Sequence, residues 1–136
     1  MAKLLQFTVE DYFVWLNENG KRHRLDGPAV EWGNGNKSWW VNGHLHRANG
    51  PAIENNNGHK EWWFLGRRHR TDGPAIECID GKKEWYFNGL RHREDGPAIE
   101  HPSGMKEYWS NGVFEEATYP YEINKQTNCN WIKEGF

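Results

Sequence analysis

The sequence predicts an all-β repeat protein, a single elongated antiparallel meander of β-hairpins. Three observations predict it. A block of 23 residues recurs four times with no insertion or deletion. Each block holds two short runs of β-forming residues separated by a glycine turn. Each block also carries Asn-Gly or its equivalent, the strongest short hairpin signal. A strict repeat settles architecture because each unit buries its apolar face only against its neighbours.

The elements follow in order, with the whole chain, 1–136, read as one repeat domain. Residues 1–18 form an N-terminal cap. A short helix is expected over 8–16: Thr8 can cap it, Glu10 and Asp11 suit its first turn, and Phe7 with Tyr12 makes a hydrophobic staple. Residues 19–112 form four repeats. The Asn-Gly positions are Asn19-Gly20, Asn42-Gly43, Asn88-Gly89 and Asn111-Gly112, and Leu65-Gly66 fills the missing place. His-Arg follows at His23, His46, His69 and His92, then Gly-Pro-Ala (Asn-Gly-Pro-Ala in one unit) at Gly27, Gly50, Gly73 and Gly96. Pro-Ala-Ile-Glu is the first strand, since a first strand residue can do without its N–H. A turn such as Asn57-Gly58 leads to the second strand, Lys-Glu-Trp-Trp-Phe. Residues 113–136 are expected to form a second cap built around a short hairpin.

Alternation along the second strand assigns faces. Trp62 and Phe64 share one side with Trp39/Val41 and Trp85/Phe87, and this apolar column is expected to be core. Trp40, Trp63, Tyr86 and Trp109 point the other way, beside polar residues, and are expected to be half exposed.

Composition narrows the function classes. The chain has 136 residues, nine Trp, five Tyr and six Phe, enough aromatic area for a core. The net charge of −2 gives no global attraction to nucleic acid or anionic membranes. Cys78 and Cys129 form no C-x-x-C pair and read as two free thiols. No apolar h-region and no span-length apolar stretch is seen, so a soluble cytoplasmic protein is expected, in the host cell if the chain is viral.

The 23-residue step and the Trp40-Val41-Asn42-Gly43-His44-Leu45-His46 element resemble MORN repeats and their variants. The resemblance spans 19–112. It departs where Arg follows His, before Asp-Gly-Pro-Ala. That longer form resembles repeat proteins of bacteria, phages and large viruses. The resemblance implies a hairpin meander that scaffolds or binds partners, sometimes anionic lipid, and no enzyme. It also implies a role as a phage or viral inhibitor of a host defence enzyme, of the anti-CRISPR type.

The candidate residues lead to binding. Four histidines one unit apart do not converge on a metal: neighbouring hairpins lie roughly 10 Å apart, whereas a zinc ligand sits about 2 Å from the ion. No nucleophile–base grouping and no phosphate loop stands out, so no catalytic residue, metal or cofactor is assigned. Nine of the 17 Lys and Arg lie in the arcs between hairpins, including Arg22, Arg24, Arg47, Arg68, Arg70, Arg91 and Arg93. They are expected on one edge, as a stripe for carboxylate or phosphate, unless Arg24, Arg70 and Arg93 pair with nearby aspartates. Trp40, Trp63, Tyr86 and Trp109 are the aromatic candidates, because Trp, Tyr and Arg dominate interface energies. A protein partner is the first expectation. A polyanion (RNA or a ribonucleoprotein, DNA, a nucleotide, anionic lipid) and a self-associating scaffold in a closed homodimer are the alternatives.

Overall fold

A computed structural model describes residues 2–7 and 11–120. Its described residues form no helix and 17 strands. The chain opens with a hairpin of β1 (Lys3–Phe7) and β2 (Tyr12–Leu16). The units then supply β3 (Val30–Trp32) and β4 (Lys37–Ser38), β5 (Trp40–Val41) and β6 (His44–Leu45), β7 (Ile53–Glu54) and β8 (Lys60–Glu61), and β9 (Trp63–Phe64) and β10 (Arg67–Arg68). They continue with β11 (Ile76–Glu77) and β12 (Lys83–Glu84), β13 (Tyr86–Phe87) and β14 (Leu90–Arg91), β15 (Ile99–Glu100), β16 (Lys106–Ser110) and β17 (Val113–Thr118). Eleven strands make one antiparallel sheet in the order β1-β2-β3-β4-β7-β8-β11-β12-β15-β16-β17. The pairs β5/β6, β9/β10 and β13/β14 are separate two-stranded ladders beside it.

The second strand of each repeat is therefore split, and a tryptophan is the joint. Trp62 donates its N–H to the Ala75 carbonyl of the large sheet (2.7 Å), while its own carbonyl accepts the His69 N–H of the small ladder (3.1 Å). Trp39 and Trp85 do the same with Ala52/His46 and Ala98/His92. Each small hairpin also leans on the one before: Gly43, Gly66, Gly89 and Gly112 donate to the carbonyls of Arg22, Leu45, Arg68 and Arg91 (2.8 Å each).

The helix expected over 8–16 is corrected. Tyr12–Leu16 is a strand, and residues 8–10 lie outside the described residues. The reason is a further, degenerate unit. Trp15 donates to Ala29 (2.7 Å) and accepts from His23 (2.9 Å), the bonding of the Trp39, Trp62 and Trp85 joints. Leu16 bridges Arg22 as Trp63 pairs with Arg68. Local helix signals lose because these backbone groups find partners in the sheet. At the other end β17 completes a hairpin with β16, and residues 121–136 lie outside the described residues.

The core is thin. Ala29, Ala52, Ala75 and Ala98 are fully buried, beside Val30, Ile76 and Ile99. Ala75, Ile76 and Tyr86 form its centre, with Trp62 and Cys78 against them. Burial first, then Asp80, pushes the Cys78 thiol up, which keeps it a neutral packing group. The face assignment is corrected as well. Phe64 and Phe87, expected in the core column, are 47% and 45% exposed, whereas Tyr86 of the other column is buried. No helix among the described residues is long and apolar enough to cross a membrane.

Candidate functional site

The seven candidate arginines fall into two sets over different aromatic columns, Trp15/Trp39/Trp62/Trp85 and Trp40/Trp63/Tyr86/Trp109, and do not form one stripe. The guanidinium carbons of Arg24, Arg47, Arg70 and Arg93 lie over Trp15, Trp39, Trp62 and Trp85, at 4.3, 3.8, 3.8 and 3.9 Å from the ring centroids. Their donors are used internally. Arg70 holds Asp72 through Nε (2.9 Å) and, through one terminal nitrogen, the Pro74 carbonyl (2.9 Å) and Glu77 (3.0 Å). Arg24 and Arg93 repeat this with Asp26, Pro28 and Glu31 and with Asp95, Pro97 and Glu100. Arg47 lacks the aspartate because Asn49 stands there, and it keeps Pro51 and Glu54. These guanidiniums fasten the arc to the strand that follows it. The aspartates outside them are the exposed groups, with Asp26, Asp72 and Asp95 side chains 88%, 84% and 90% accessible.

The second set is Arg22, Arg68 and Arg91, interleaved with the other aromatic column. Arg22 lies over Trp40 at 4.9 Å. Arg68 sits between Trp63 (4.9 Å) and Tyr86 (5.5 Å), and Arg91 between Tyr86 (5.8 Å) and Trp109 (5.0 Å). Register produces this order: Trp63 pairs with Arg68, Tyr86 with Arg91, and Trp40 with Leu45, which takes the place of an arginine. The result is one stripe across the units: Arg22, Trp40, Leu45, Trp63, Arg68, Tyr86, Arg91, Trp109.

Each ring is held from behind. The indole N–H groups of Trp40, Trp63 and Trp109 donate to Ser38 (2.8 Å), Glu61 (2.8 Å) and Glu107 (3.2 Å), and the Tyr86 hydroxyl donates to Glu84 (3.2 Å). The same acids brace the arginines, Glu61 on Arg68 Nε (3.4 Å) and Glu84 on Arg91 Nε (3.3 Å). Burial pushes the Glu61 carboxyl up, but hydrogen bonds from His59 and Trp63 with the Arg68 charge outweigh it and hold the group below the usual range. The His101 ring, at 2.6 Å, holds Glu107 low, aided by Trp109 and against some burial. Desolvation followed by the Glu84 charge raises the Tyr86 hydroxyl, which stays a neutral donor. Glu61 and Glu84 are thus struts, their side chains 14% and 9% exposed, while the Arg68 and Arg91 side chains are 37% and 36% exposed. Among the described residues Arg22 has no ion pair.

The repeated histidines have a backbone role. Nδ1 of His23, His46, His69 and His92 accepts the N–H of Asn42, Leu65, Asn88 and Asn111 in the next unit, at 3.0 Å each. This bond places each ring proton on Nε2. His46, Phe64, His69, Phe87 and His92 then form a second aromatic run on the arc side, with centroids 4.5 to 6.3 Å apart. It lines open grooves of about 670 and 880 Å³. Sequence reasoning missed this run, because it assigned Phe64 and Phe87 to the core.

No protein-family model matches the chain, and no curated protein matches it.

Proposed function

We propose that the protein is a non-catalytic binding module that engages a protein partner through Arg22, Trp40, Trp63, Arg68, Arg91 and Trp109, with the buried Tyr86 supporting Arg68 and Arg91 from beneath. One observation carries the reading: three partly exposed guanidiniums and four aromatic rings make one stripe, with Leu45 between Trp40 and Trp63, and each ring is fixed by a hydrogen bond from its own N–H or O–H. Trp, Tyr and Arg supply most of the energy in protein interfaces. A side chain already fixed in its bound rotamer avoids about 0.5–1.5 kcal/mol of ordering cost on association. Arg24, Arg47, Arg70 and Arg93 leave the binding set and become structural. The phage or viral inhibitor role implied by the family resemblance adds a class of partner to look for, a host defence enzyme.

The test is a pull-down from host lysate, with and without nuclease and at low and high salt, using the wild type and Arg68→Glu with Arg91→Glu. A protein retained through nuclease and salt, and lost in the double variant, supports the reading. Nucleic acid that leaves steeply with salt replaces it with polyanion binding. Recovery of the chain's own copies alone replaces it with a self-associating scaffold.

A further inference from the structure

We propose that the stripe is a carboxylate reader: its partner is an acidic protein segment whose Asp or Glu side chains seat on the Arg68 and Arg91 forks, on either side of Tyr86. This rests on the binding role proposed above.

Three features support that chemistry. A planar guanidinium held through Nε presents its outer nitrogens as a fork, the geometry that takes a carboxylate in two parallel bonds. Arg68 and Arg91 are each held so, by Glu61 and Glu84, and their planes are fixed further by the flanking rings. Second, the compensating acids sit behind the stripe while the guanidiniums face out. The exposed aspartates Asp26, Asp72 and Asp95 belong to the arcs with the other arginine set. A net charge of −2 therefore hides a cationic line.

Third, the line is interrupted. Along the units the stations read Arg22, Leu45, Arg68, Arg91, and Leu45 pairs with Trp40. A nucleic-acid strand is charged uniformly, with a phosphate every ~3.4 Å in the duplex. A stripe built for it gains from a cation at every station. A protein segment can alternate acidic and apolar side chains, and the Leu45 station beside Trp40 and Trp63 matches an apolar one. Successive stations lie two strand spacings apart, roughly 10 Å.

The probe is an oligo-glutamate peptide, titrated at low salt against the full chain and followed by tryptophan fluorescence. Oligo-uridylate and phosphatidylserine vesicles run in parallel. The wild type is expected to bind the peptide, and Arg68→Glu with Arg91→Glu to weaken it by about tenfold or more. Arg68→Lys with Arg91→Lys keeps the charge and loses the fork; it is expected to weaken binding several-fold. Lys60→Glu with Lys83→Glu makes the same charge change on the other face of the sheet and is expected to leave binding within about twofold. Circular dichroism checks that each variant is folded. No binding by the wild type, or equal loss in the Lys60/Lys83 variant, overturns the inference. Tighter binding of oligo-uridylate or of vesicles than of the peptide also overturns it, in favour of phosphate. A lysate protein captured through Arg68 and Arg91 while oligo-glutamate does not bind leaves the binding role standing and removes only the carboxylate claim.

Discussion

Leu65 occupies the turn position that Asn42, Asn88 and Asn111 hold in their units, and its backbone bears the cost. The first turn residue has φ of +49° at Asn42, +50° at Asn88 and +48° at Asn111, and +47° at Leu65, followed in each case by a glycine also at positive φ. This is the two-residue turn that matches strand twist. For a leucine the left-handed region costs about 1–2 kcal/mol, which asparagine largely avoids. Leu65 is 57% exposed, so little packing is lost on replacement. Leu65→Asn is expected to stabilise the fold by about 1 kcal/mol, read as a higher denaturant midpoint at constant slope; an unchanged or lower midpoint refutes the strain argument. The histidines give a pH prediction at the same scale. Burial lowers the His46 pKa from its ordinary 6.5, and its Nδ1 must stay unprotonated to accept the Leu65 N–H. The unfolded chain then binds a proton at a higher pH than the folded chain does. Stability from this group is full above about pH 6.5 and declines as pH falls toward the lowered folded value. Urea midpoints measured from pH 8 down to pH 5 should fall for the wild type and fall less for His46→Gln. A flat wild-type profile contradicts the clamp.

At the scale of the element, the arc is the unit of construction, and its glycine shows why. A Cβ on Gly73 would stand 2.8 Å from the Arg70 guanidinium carbon, and the corresponding approach is 2.9 Å at Gly27, 3.0 Å at Gly96 and a looser 3.2 Å at Gly50. The guanidinium cannot move aside freely, because Trp62, Asp72, Pro74 and Glu77 hold it. Gly73→Ala is expected to lose about 1–3 kcal/mol, measured by thermal melting, whereas a neutral outcome means that Arg70 is not fixed. The repeat, the hairpins and the turns were legible in the sequence because they depend on local chemistry repeated at constant spacing. The element over Tyr12–Leu16 was not. Trp15 stands eight residues before His23, while Trp39 stands seven before His46, so a strict 23-residue period passes over it. Alternation correctly put Trp62 and Phe64 on one side, but it cannot say what covers a side. Trp62 is covered by an arginine, and Phe64, two residues on, is left open to solvent. The division of the arginines was hidden for the same reason: Arg68 and Arg70 lie two residues apart, yet the turn from β10 into the arc sends them to different tryptophans.

For the whole molecule, the sheet is a stack in which each unit touches only its neighbours. Stability in such a stack is a sum of unit and interface terms, and opening proceeds from the ends. Protection from amide exchange is expected to be greatest around the Ala75–Ile76–Tyr86 cluster, at Trp62 and Ala75, and least in β1 and β17. Uniform protection along the chain would falsify this picture. Candidate residues were legible by type at this scale, since the sequence marks which positions are Arg, Trp or Tyr. Their grouping was not, because it depends on the split at each tryptophan joint. That joint has one more consequence. The same residue serves the large sheet with its N–H and the small ladder with its carbonyl, so one extra residue inside either strand would turn the rest of that strand's side chains to the wrong face. The extra residue of the Trp15 unit falls between Trp15 and Gly20, toward the turn, where it does no such harm. A gene for this chain can therefore lengthen or shorten by recombination between whole repeats, while single-codon slips survive only at turns. The length of the sheet is inherited in discrete steps of one unit.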